Sequence, residues 1–81
     1  MENETKIAVI AIIVEDQTVS DRVNALLHQY RSRIVGRMGL PYREKNVNII
    51  CVVMDAPQDV INALSGNLGR IPKVRVKALT T

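Results

Sequence analysis

The chain has 81 residues, a net charge of +3, one cysteine (Cys51), no Phe or Trp, and two tyrosines, Tyr30 and Tyr42. One small domain is expected over residues 1–81, an internal disulfide is excluded, and the charge is too mild to argue for nucleic acid. The longest apolar run, Ile7 to Val14, is far too short to cross a bilayer as a helix.

The start of the chain, Met1-Glu2-Asn3-Glu4-Thr5-Lys6, is acidic, the reverse of a secretory signal, so a cytoplasmic protein is expected. Ile7 to Val14 contains only β-branched residues and Ala, the composition of a strand buried on both faces. Glu15-Asp16-Gln17-Thr18 ends it, and Asp16 or Thr18 is placed to cap a helix. Val19, Val23, Leu26, Leu27 and Tyr30 then form one helical stripe, with Arg31 and Arg33 at its negative end. Ile34 to Leu40 is a weaker strand whose two glycines suit an edge or a bulge, followed by a polar turn from Pro41 to Asn46. Val47 to Met54 is a second strongly apolar strand, paired with the preceding one as a hairpin. Asp55-Ala56-Pro57 starts a second helix with the stripe Val60, Ile61, Leu64 and Leu68, and Gly69 is expected as its left-handed terminator. Val74 to Leu79 alternates, with Arg75 and Lys77 on one face, which predicts a charged edge strand.

The order β-α-β-β-α-β predicts an α+β, ferredoxin-like sandwich with two helices on one face of an antiparallel sheet ordered 4-1-3-2. That order puts the two most apolar strands in the centre. Both alternating sets of those strands are apolar, so the face away from the helices would be an exposed hydrophobic patch. A domain of this size buries only about 60–65% of its unfolded surface and commonly needs a supplement. Self-association, as a dimer or tetramer, is therefore expected.

Catalytic and metal chemistry find little support. Cys51 sits mid-strand as a small hydrophobe, and His28 lies off the helical stripe as a solvated residue. One His and one Cys make no metal site, and no cofactor motif is present. Glu15 and Asp16 are explained by helix capping. Gly36-Arg37-Met38-Gly39 lies on a strand, unlike the helix-joining clamp loop of KH domains, and the central strands lack the stacking aromatics of an RNA-recognition motif.

Four segments carry a resemblance: the first strand ending Val14-Glu15-Asp16; Val23-Asn24 through Leu27-His28; Arg37-Met38-Gly39-Leu40-Pro41-Tyr42-Arg43-Glu44; and Ala63-Leu64-Ser65-Gly66-Asn67-Leu68-Gly69-Arg70-Ile71 with Val74-Arg75-Val76-Lys77. In these the chain resembles the small ACT-like proteins of the iron-only hydrogenase system regulator family. That family is similar in fold to the C-terminal, nickel-sensing domain of the nickel-responsive repressor. The chain lacks that repressor's His-rich ligand set and its DNA-binding segment, so neither a metal nor direct nucleic-acid binding is expected. It also lacks the glycine that amino-acid-binding ACT domains carry after the first strand.

The resemblance implies a non-enzymatic regulatory or ligand-sensing homo-oligomer linked to the hydrogenase system. The alternative is an accessory or scaffold protein that binds another protein without a small ligand. ACT-like domains hold effectors between subunits, near the first strand-to-helix turn and the neighbouring second strand. Those regions here supply Glu15, Asp16 and Thr18, with Arg37 and Tyr42 opposite, for a small anionic or zwitterionic effector. Arg37 leads this set because its planar fork matches a carboxylate or phosphate.

Overall fold

The computed structural model describes residues 4–81. Met1 to Asn3, on which part of the signal-peptide reading rests, lie outside the described residues. Strand β1 (Lys6–Val14) and strand β3 (Val47–Ala56) pair antiparallel along their whole shared length, from Lys6 opposite Ala56 to Val14 opposite Asn48. Strand β2 (Ile34–Tyr42) flanks β3, and strand β4 (Val74–Thr80) flanks β1, giving the order β2-β3-β1-β4. This is the expected order read from the other edge. With helices α1 (Ser20–Gln29) and α2 (Gln58–Gly69) it makes an antiparallel α+β architecture compatible with the ferredoxin-like class.

One side of the sheet carries Ala8, Ile10, Ile12, Val14, Ile50, Val52, Met54 and Val74. These pack in a single cluster with Val23 and Leu27 of α1 and Ile61, Leu64 and Leu68 of α2. Both helices thus cover the same face. The stripes read from spacing are the buried ones, with Leu26, Tyr30 and Val60 half-buried at their margins. Among the described residues no helix is long and apolar enough to cross a membrane.

Three local expectations are corrected. Pro41 and Tyr42 belong to β2 rather than to the turn, since an edge strand can hold a proline that donates no hydrogen bond. Asp55 and Ala56 continue β3, so α2 starts later, and Pro57 is its extended N-cap (φ −61°, ψ 154°). Gly69 is the last residue of α2 and is not left-handed. The chain reverses instead at Lys73 (φ 66°), after the sequence Ile71-Pro72, and a second left-handed residue, Asn46 (φ 56°), leads into β3. The expected irregularity in β2 does occur, as a register shift between Ile34 and Gly36 that leaves Val35 as the extra, exposed residue.

Candidate functional site

Three surfaces could carry function: a rim depression, a cleft beside α1, and the open sheet face. The rim depression, about 590 Å³, lies where β1 ends and is lined by Glu15, Asp16, Gln17, Asn46 and Lys73. Asp16 adopts an extended backbone and its Oδ1 accepts from the Thr18 amide at 2.9 Å and from the Thr18 hydroxyl at 2.7 Å. It therefore caps the short 3-10 turn Gln17–Val19 that leads into α1. The hydroxyl bond and then the amide bond from Thr18 hold this carboxyl below its ordinary pKa; desolvation opposes them more weakly, and the charge of Lys73 adds the smallest push downward. Glu15 is tied differently. Its amide donates to the Lys73 carbonyl at 2.8 Å, and its carboxylate meets Arg75 Nε at 3.3 Å.

The cleft, about 270 Å³, lies between the start of α1 and the β2–β3 pair. Residues alternate along β2, so Arg37 and Gly39 share the helix side while Met38, Leu40 and Tyr42 face the other way. Arg37 Nη2 donates to Asn24 Oδ1 at 2.9 Å, and Asn48 Nδ2 donates to Ser20 Oγ at 3.3 Å. Gly39 and the buried Ile50, its partner across the ladder, line the same cleft.

The open face carries Ile7, Val9, Ala11 and Ile13 from β1, opposite Asp55, Val53, Cys51 and Ile49 of β3. Met38, Leu40 and Tyr42 extend it along β2, and Leu79 along β4. Several are well exposed: Ile7 42%, Met38 63%, Leu40 54%, Leu79 74%. Lys77 and Arg75 border it on β4, opposite Ala11 and Ile13.

Glu15, Asp16 and Thr18 are neighbours on the rim. Arg37 sits in the cleft instead, and Tyr42 projects from the opposite face of β2. Sequence reasoning passed over Asn24, Asn48, Ser20 and Lys73. Polar residues off a helical stripe or at a strand start look like ordinary solvated positions until the fold brings them beside an arginine. No group of three or more His, Cys, Asp or Glu among the described residues is disposed to hold a metal ion.

Comparison with known proteins adds a family. The model of the family described as "TM1266-like: Iron-only hydrogenase system regulator, putative" matches residues 6–78. Among solved structures, "uncharacterized protein TM1266 from Thermotoga maritima" is similar with a TM-score of 0.91 and 40% sequence identity, over 95% of this chain and 98% of that one. No curated protein matches.

Proposed function

The chain belongs to the TM1266-like family, the iron-only hydrogenase system regulators, and from that premise we propose that it is a non-catalytic, ligand-sensing regulator of that system acting as a homo-oligomer. Its subunits meet on the open sheet face. The observation that carries this is the contiguous apolar surface of Ile7, Val9, Ile13, Met38, Leu40 and Leu79, all exposed on one side of one sheet. Soluble monomers seldom expose so large a contiguous patch.

Its size suits a second copy. Four strands about 4.8 Å apart and roughly eight residues long, at about 3.3 Å per residue, give a flat footprint of about 500 Å² per subunit. Two such faces bury on the order of 1,000 Å², about the threshold for a specific interface. Of the groups the family resemblance points to, Glu15, Asp16 and Thr18 would offer the effector the rim, Arg37 the cleft beside α1, and Tyr42 the open face.

Native mass spectrometry of the protein purified from its own host tests the reading. A mass that is a multiple of the 9.0 kDa subunit is expected, with loss of normal hydrogenase control in a strain lacking the gene. A bare monomer at micromolar concentration overturns the oligomer. A monomer held in a complex with a different protein favours the scaffold alternative.

A further inference from the structure

We propose that the cleft between α1 and the β2–β3 pair is a binding site for a small monocarboxylate, gripped by Arg37. This rests on the ligand-sensing part of the function proposed above and gives it a chemistry.

The donor inventory is one-sided. Arg37 carries five N–H donors, and one of them, on Nη2, goes to Asn24 Oδ1. Among the described residues the ion pair Arg75–Glu15 is the only one, so no carboxylate of those residues neutralises Arg37. A guanidinium only donates, so Asn24 must present its oxygen to it, which turns the Asn24 NH₂ outward as a further donor. Ser20 Oγ accepts from Asn48 and keeps its own proton to give. Asn48 Oδ1 accepts no hydrogen bond from the described residues and is suited to a hydroxyl on the ligand. Among the described residues no acidic side chain lines the cleft.

The floor is apolar and the room is limited. A Cβ built on Gly39 would meet nothing within 4 Å, so the absence of a side chain there leaves open space over Ile50. The volume, about 270 Å³, falls just below the range of about 300–1,000 Å³ typical of pockets for drug-sized ligands. A molecule of a few carbons fits such a space. One guanidinium matches one negative charge, whereas a phosphate group carries up to about two charges and three strong acceptor oxygens at neutral pH. A monoanionic carboxylate, with its two oxygens on the fork of Arg37, is the better complement.

The test is a titration of the full-length protein, followed by backbone amide NMR, with lactate, 3-hydroxybutyrate and butyrate. Lactamide serves as the neutral control and inorganic phosphate as the competing anion. At least one carboxylate should give saturable shifts centred on Asn24, Gly39 and Asn48, with lactamide giving none. R37M should weaken binding at least tenfold and R37K by less, since Lys keeps the charge without the fork. G39V should fill the cleft and abolish binding, while its spectrum and melting temperature stay those of a folded protein.

No saturable shift from any of the three carboxylates overturns the proposal, as do shifts that survive both R37M and G39V. Lactamide binding as well as lactate overturns it too, and tighter binding of phosphate overturns the carboxylate class. None of these outcomes touches the oligomer mass or the hydrogenase phenotype, so failure of the cleft and failure of the regulator reading remain distinguishable.

Discussion

Asp16 shows how much local geometry one residue can set. It lies two residues beyond the end of β1, caps the turn into α1, and accepts both bonds from Thr18. Because its folded pKa is lowered, its contribution to stability is fully present above the unfolded value of about 3.9 and is lost as pH falls through the folded value. The melting temperature of the wild type should therefore drop more steeply below about pH 4 than that of D16N, which keeps an N-cap acceptor but cannot titrate. Parallel acid slopes for the two proteins would remove Asp16 from the account. Gly66 is the opposite case, a residue the fold does not use. It lies inside α2, exposed, without a left-handed backbone and with open space where a Cβ would stand. G66A should stabilise the protein by about 0.5–1 kcal/mol in urea denaturation, the usual helix-interior gain of Ala over Gly.

At the scale of elements, packing decides which local preferences survive. Leu64 is fully buried under α2 against the central strands. L64A should cost about 2–5 kcal/mol through lost transfer energy and the cavity left behind, measured as a lower urea midpoint with little change in slope. Elements of this kind were legible in the sequence because burial imposes a period. The stripes of α1 and α2 appear in the structure as read, and the apolar runs of β1 and β3 are its central strands. But β1, read as buried on both faces, is buried only on the helix side, with Ile7, Val9 and Ile13 exposed on the other. Boundaries were less legible, for identifiable reasons. Pro41 looked like a turn residue, yet an edge strand tolerates it. Gly69 looked like a terminator, but α2 needs no left-handed residue there because the reversal comes later, at Lys73, after Pro72. The cleft was the least legible. Arg37 could be singled out by its side chain, whereas Asn24 and Asn48 lie 13 positions before it and 11 after it in sequence. Only the pairing of β2 with β3 and the seating of α1 bring them together.

The whole molecule divides its apolar residues between two faces, and among the described residues only one has a partner. The helix face is closed by the cluster around Ile10, Ile12, Val52 and Leu64, while Val9 and Ile13 on the same strand remain 38% and 39% exposed. A chain of 81 residues has little stability to spare, so covering the second face would bear on folding as well as on assembly. When association and folding are linked, the melting temperature rises with protein concentration by mass action. We therefore expect the wild type to melt at progressively higher temperature as its concentration is raised from low to high micromolar. V9K, at the centre of the open face opposite Val53, should place unpaired charges across any face-to-face contact. It should behave as a monomer in light scattering, with a lower melting temperature that no longer depends on concentration. The core lies on the other side of β1, so the variant's far-ultraviolet circular dichroism should stay native at low temperature. A V9K protein that remains oligomeric would move the interface elsewhere, to the sheet edges β2 or β4. A wild type whose melting temperature is flat with concentration would leave the open face without a second copy to cover it.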